Sequence, residues 1–135
     1  MTGGDKTTGK ARLGAPEPLG PKHDLLAFSS GEADLDNWLK NRALKNEGGG
    51  ASRTYVVCTT GRKVVGYYCL ATGALAVAQA TGKVRHNMPD PIPVMIIGRL
   101  AVHKEWHSQG LGRSLLANAL QRILQASQSM QLSST

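Results

Sequence analysis

The chain has 135 residues, enough for one domain; 41% of them are apolar and only 4% aromatic, so the core is expected to be mainly aliphatic. The net charge is +7 and uneven: residues 1–47 carry seven basic and seven acidic side chains, while residues 48–135 carry nine basic ones against Asp90 and Glu105 alone. The longest apolar run, Ile92–Ile97, contains Pro93 and is far too short to span a bilayer, and no secretory signal is recognised, so a cytoplasmic, membrane-free protein is expected. A basic half suits a polyanion such as RNA or an acidic cofactor. A solvated basic surface suits the composition equally, because no Lys/Arg run exceeds two residues.

Residues 1–10 are rich in Gly, Thr and Lys and read as disordered, with the folded domain expected over 11–126. Lys10–Leu19 is a candidate first edge strand, weakened by Pro16 and Pro18. Ser29 and Glu32 have the spacing of a capping box, and Asp34 and Asp36 suit the first turns of the helix it would open. Leu35, Trp38, Leu39 and Ala43 line one face of that helix, and Gly48-Gly49-Gly50 ends it. Arg53–Thr60 and Val64–Thr72 read as strands of a hairpin around Gly61-Arg62-Lys63, which puts Tyr67 and Tyr68 on opposite faces. One of these tyrosines could act as a proton donor in a cleft; a structural role is the alternative. Cys58 and Cys69 lie outside any C-x-x-C pattern and read as buried free thiols, with a catalytic cysteine as the other option, and no metal site is expected. Gly73–Arg85 reads as a short helix or a loop, and His86–Pro93 as a proline-stiffened loop in which His86 is either a general base or simply exposed.

The most informative stretch is Val94–Gln128. Val94–Ile97 and Leu100–Val102 suit a buried strand interrupted by Gly98, which signals a bulge or a close backbone approach. Gln109-Gly110-Leu111-Gly112-Arg113 follows and opens a helix. Two glycines at a helix N-terminus can bring backbone N–H groups against an anion. A G-x-G pair fits an ordinary strand–helix turn as well, and neither the P-loop pattern nor a third glycine is present. In the helix, Leu115, Leu116, Ala119, Leu120, Ile123 and Leu124 form one apolar stripe expected to pack on the sheet, with Arg113, Asn118, Gln121 and Arg122 on the other side. Ser127–Thr135 reads as a polar tail.

Gly98–Val102 followed by Gln109–Arg113 resembles the acetyl-CoA-binding core of the GNAT N-acetyltransferases. Leu35–Leu39, Ser52–Val56, Val65–Leu70 and Met88–Val94, in that order, are similar to the acetyltransferase toxins of bacterial toxin–antitoxin pairs; the match runs from about Phe28 to about Ile123. The resemblance implies an α/β (α+β) GNAT fold with a mixed, mostly antiparallel sheet flanked by helices. It implies acetyl-CoA as cosubstrate, with Leu100, Ala101 and Val102 on the acetyl-pantetheine and Leu100 as backbone oxyanion donor. His107, Gln109, Gly110, Leu111, Gly112, Arg113 and Ser114 would hold the pyrophosphate, although His107 stands where the family has Arg or Gln. The implied reaction is acetylation of the α-amine of aminoacyl-tRNA, which blocks translation, with Lys83, Arg85 and Arg99 contacting the tRNA and a ribbon-helix-helix antitoxin as partner. The family continues past the glycine-loop helix with strands and a tyrosine-bearing motif that have no counterpart here. C-terminal elements are therefore expected to be missing, leaving a helix face and a strand edge to be covered by a partner or a homodimer. Three other functions stay open: an impaired protein that binds acetyl-CoA or antitoxin without turnover, an RNA-binding module, and an acetyltransferase for a small-molecule or protein amine.

Overall fold

The computed structural model describes residues 13–50, 52–75 and 92–133. In chain order these form β1 (Glu17–Pro18), α1 (Ala33–Asn41), α2 (Ala43–Gly49), β2 (Ser52–Cys58), β3 (Val64–Leu75), β4 (Ile92–Val102) and α3 (Leu111–Ser133). The four strands make one sheet in the order β1-β2-β3-β4, every neighbouring pair antiparallel. Parallel pairing among the described residues is confined to one isolated bridge between Asp24 and Lys63. The helices flank this sheet, as expected of the fold. The expected disorder of residues 1–10 and the His86–Pro91 part of the proline loop lie outside the described residues, while the loop's last two residues, Ile92 and Pro93, are strand in β4.

Alternation along β3 divides the core in two. Tyr67 faces α1 with Phe28, Trp38, Leu39, Ala43 and Val56. Tyr68 faces α3 with Val57, Leu70, Trp106, Leu111, Leu115 and Ala119. Both rings are fully buried, yet both hydroxyls are satisfied: Tyr67 donates to the Leu35 carbonyl at 2.8 Å, and Tyr68 donates to Asn118 Oδ1. Each is therefore a packing residue with its polar end tied to a helix.

Four expectations are corrected. The Ser29 capping box does not form. Gly31, at φ 99°, turns the chain so that the helix begins at Ala33 after Glu32. Ser30 takes over the polar work: its backbone N–H and hydroxyl both donate to the Asp36 carboxylate, at 3.1 and 2.7 Å. The helix also breaks at Arg42 (φ −127°, ψ −27°) before running on to Gly50, whose left-handed φ of 77° closes it where the three glycines predicted. β3 extends to Leu75, so the start of Gly73–Arg85 is strand; the rest lies outside the described residues. Finally, α3 runs to Ser133, through most of the segment read as a polar tail.

The apolar stripe of α3 is split. Leu115 and Ala119 are fully buried, while Leu116, Leu120 and Leu124 are 43%, 53% and 57% exposed. A helix on one sheet buries the row nearest the strands; the next row lies about 100° round the axis. Asn118 and Arg122, expected on the outer side, turn instead toward the sheet around Tyr68.

Candidate functional site: the open edge of β4 and the turn into α3

β4 pairs with β3 along its whole length, with one irregularity. Cys69 opposes Arg99 and Leu70 opposes Ile97, so Gly98 is the extra, unpaired residue of a β-bulge. A Cβ at Gly98 would lie 3.9 Å from the Cys69 carbonyl, an ordinary contact, which leaves the bulge as the reason for the interruption.

The bulge fixes which backbone groups face outward. The His103 N–H donates to the Val65 carbonyl at 2.8 Å, which makes Val65 and His103 a hydrogen-bonded pair. Antiparallel pairs alternate, so Tyr67–Ala101 and Cys69–Arg99 are also bonded, while Gly66–Val102 and Tyr68–Leu100 are not. The N–H and C=O groups of Leu100 and Val102 therefore point away from β3, along an edge where no further strand pairs among the described residues. A side chain confirms this direction: His107 Nε2 donates to the Val102 carbonyl at 2.8 Å. Ala101, expected beside Leu100 and Val102, is placed differently from them. Its backbone belongs to the ladder with Tyr67, and its side chain packs in the core on the α1 face.

The chain leaves β4 through a short 3-10 turn, Lys104–Trp106, anchored by the buried Trp106 indole. His103 is structural: its Nδ1 accepts from the Glu105 N–H at 3.1 Å and its Nε2 donates to the Ala27 carbonyl at 3.2 Å. Ser108 and Gly110 then adopt φ of 64° and 83°. At Gly110 this favours glycine on conformational grounds. The Ser114 N–H donates to the Gly110 carbonyl at 3.0 Å, which sets Gly110 as the start of α3. The N–H groups of Gly110, Leu111, Gly112 and Arg113 thus precede the first N–H that donates within the helix, that of Ser114, and sit at the positive end of the helix dipole. Arg113 and Ser114 are exposed around them, and Leu111 is buried as the anchor. Gly112 faces Val102, with room for a Cβ at 3.7 Å. The side chains of His107 and Gln109 turn back into the loop, Gln109 Nε2 donating to the Glu105 carbonyl at 3.2 Å. The sequence pattern therefore brings together an open strand edge and a helix N-terminus, joined by one turn.

Arg99 lies on the opposite face of β4, its guanidinium 4.4 Å from the centre of the Trp38 ring. Trp38 in turn stacks on Tyr67 at 6.0 Å. Asp34, Asn37, Asn41 and Arg42 complete a cleft of about 340 Å³ there. Lys83 and Arg85, expected to join Arg99, lie outside the described residues.

The residues that sequence reading missed are those that hold this frame. Arg122 Nε donates to the Tyr68 hydroxyl at 2.9 Å, its Nη2 to the Pro16 carbonyl at 3.3 Å, and its guanidinium covers the Tyr55 ring at 4.0 Å. Burial raises the Tyr68 hydroxyl above its ordinary range, against the opposing pull of Arg122. Burial also raises Tyr67, with the Arg99 charge working the other way. Both phenols stay protonated near neutral pH, their hydroxyls committed to the Leu35 carbonyl and Asn118.

Residues 22–132 match the model of the acetyltransferase (GNAT) family. The chain is 48% identical over 118 residues to a tRNA-acetylating toxin of Mycobacterium tuberculosis, a match covering 87% of this chain and 70% of that protein. It is 31% identical over 111 residues to the probable toxin TacT of Sinorhizobium fredii, covering 79% of this chain and 61% of that protein. Among solved structures, AtaT complexed with acetyl-methionyl-tRNAfMet superposes with a TM-score of 0.76 at 29% identity, over 87% of this chain and 72% of that one. A mutant AtaT toxin bound to acetyl-CoA and the C-terminus of the antitoxin AtaR gives 0.71 at 27% identity, over 87% and 69%. With a family model spanning most of its length and relatives that share its fold, the chain belongs to the GNAT acetyltransferase family.

Proposed function

We propose that the chain transfers an acetyl group from acetyl-CoA to the α-amine of aminoacyl-tRNA and so blocks translation. The observation that carries this reading is the outward-facing backbone of Leu100 and Val102, set one turn from the N-terminus of α3. That pairing suits an elongated ligand with amides at one end and a diphosphate at the other. The edge offers strand-like hydrogen bonds to amides, and the N–H groups of Gly110–Arg113, with the exposed Arg113 and Ser114 side chains, suit the diphosphate. Bound there, acetyl-CoA supplies an activated thioester. The Leu100 N–H acts as oxyanion donor toward the acetyl carbonyl, already oriented by the ladder on its other side. The α-amine of an aminoacyl ester is less basic than a lysine amine, so attack needs no strong general base. The tyrosine hydroxyls on the two faces of β3 are committed to Leu35 and to Asn118, so neither is assigned as the proton donor to the leaving thiolate.

Arg99 and Arg42 beside Trp38 offer a cationic contact for acceptor-stem phosphates, with Lys83 and Arg85 as further candidates. The relatives' names support the substrate and the toxin role. They also support an antitoxin partner, which we assign to the ribbon-helix-helix type, covering the basic cleft in the cytoplasm. Among the described residues no helix is long and apolar enough to cross a membrane. A homodimer would cover the exposed leucine row of α3.

The test is calorimetric titration with acetyl-CoA, followed by transfer of labelled acetyl to charged tRNA from the same sample. Binding with transfer is expected. Binding without transfer would leave a protein that holds acetyl-CoA and does not turn it over. Absence of binding would overturn the assignment of Leu100 and Gly110–Ser114.

A further inference from the structure

At the opposite edge of the sheet, Glu17, His23 and Cys58 bring a carboxylate oxygen, an imidazole nitrogen and a thiol sulfur within 4.8 Å of one another. We propose that these three side chains form a zinc site that clasps β1 and the following turn onto β2. Three separate features of the fold converge on it. Glu17 pairs with Val56, so it lies on the same face of the sheet as Cys58 two residues on. The register shift opposite Cys58, where Val65 is the extra residue of β3, leaves Cys58 on the Val56 face near the end of β2. His23 closes a tight turn, its N–H donating to the Gly20 carbonyl at 3.2 Å.

The donor set is what zinc takes: one thiolate, one neutral imidazole and one carboxylate, with a fourth position left for water. Tetrahedral zinc holds such atoms about 3.3–3.7 Å from one another, given bonds of about 2.0–2.3 Å. The required motion is small and falls on the freest member. His23 Nε2 donates to Glu17 Oε2 at 2.7 Å, and that contact must open slightly; the Glu17 side chain is 54% exposed, while that of His23 is only 8% exposed and already held. The imidazole is equipped to change tautomer. Its Nδ1 accepts from the Gly20 N–H at 2.9 Å and lies 3.2 Å from the Gly20 carbonyl. With the proton moved from Nε2 to Nδ1, the ring gives up the bond from the Gly20 N–H, donates instead to that carbonyl, and presents Nε2 to the metal, the usual outer support of a zinc-bound histidine. Cys58 releases its thiol proton to solvent, so Zn²⁺ is matched by one thiolate and one carboxylate. Metal free, burial and the Glu17 charge hold that thiol at about 11, with Arg62 opposing them.

The test uses the untagged full chain, reduced and stripped with EDTA. Co²⁺ is added as a spectroscopic probe, and Zn²⁺ is titrated in competition with a chromogenic chelator. We expect one equivalent bound, a thiolate-to-cobalt charge-transfer band, loss of that band in Cys58→Ser and its retention in Cys69→Ser. His23→Gln should weaken Zn²⁺ binding at least tenfold. Should Cys58→Ser fail to fold, alkylation of the native chain reads the same site: Zn²⁺ should protect Cys58, identified by peptide mass spectrometry. A missing band, a band that survives Cys58→Ser, or equal alkylation of Cys58 with and without Zn²⁺ would overturn the proposal.

Discussion

The two edges of the sheet are treated in opposite ways. At β1 the edge is two residues long, contains Pro18, and is tied down on both sides: the Leu19 N–H donates to the Thr54 carbonyl at 2.9 Å and Arg122 reaches the Pro16 carbonyl. At β4 the edge is eleven residues long and presents the backbone of Leu100 and Val102, with His107 bonded to one carbonyl. A long open edge invites unwanted pairing, so chains normally blunt it. Among the described residues this edge is open beside a helix N-terminus, which leaves the backbone groups of Leu100 and Val102 facing outward there. The contrast separates substitutions that damage stability from those that damage the site.

The largest stability effect is expected at the closed edge. Leu19 is 6% exposed in the α1-side core, and Leu19→Ala should cost about 2–5 kcal/mol by chemical denaturation, with the KM for acetyl-CoA unchanged. A changed KM would mean that the two edges are coupled. At the open edge the prediction inverts. Leu100→Pro removes an N–H that the ladder does not use, so the fold should persist while acetyl transfer falls about 10²–10³-fold. Leu100→Ala, which keeps the N–H, should retain most activity. If both variants were equally slow, the side chain would matter and the oxyanion role would be lost.

Smaller effects sharpen the contrast. Gly110→Ala forces a Cβ onto a residue at φ 83°, at about 1–2 kcal/mol, and should weaken acetyl-CoA binding by displacing the first N–H groups of α3. Calorimetry with acetyl-CoA and with free diphosphate should show both affinities falling together. Tyr68→Phe leaves Asn118 and Arg122 without their common partner between the two edges, and should cost about 1–3 kcal/mol in denaturation with acetyl-CoA affinity preserved. The smallest effect is pH dependence. Cys58 is raised from an ordinary 9.0 to about 11, and Tyr67 and Tyr68 are also raised by burial. Above their ordinary values the unfolded chain sheds these protons while the folded chain keeps them. Their stabilisation is therefore complete below about pH 9 and is lost as pH rises. Melting temperature in EDTA should fall from about pH 9 upward, and Cys58→Ser should remove the earliest part of that fall.

Local signals were legible where one residue's chemistry decides the backbone. Gly98 marked the bulge, Gly50 closed the second helix, and Gly110 marked the turn into α3. Alternation placed Tyr67 and Tyr68 on opposite faces, and separated blocks in the right order indicated the family before any contact was known. The capping box was misread because a Ser–Glu spacing says nothing of the turn at Gly31 that delays the helix.

What the sequence alone determined was the family and most of the elements, though not the break at Arg42 or the length of α3, because periodicity, glycine and proline act within a few residues. What only the tertiary structure decided was direction. Whether the backbone of Leu100 or of Ala101 points away from β3 depends on the phase of the ladder, set by a hydrogen bond from His103 to Val65. Which half of the α3 stripe is buried depends on the row that meets β3, where a Cβ at Gly66 would lie only 3.0 Å from Leu115 Cδ1. That Glu17, His23 and Cys58 meet at all depends on pairing between β1 and β2. Each of these turns on a contact between residues distant in the chain, and no spacing along the sequence carries it.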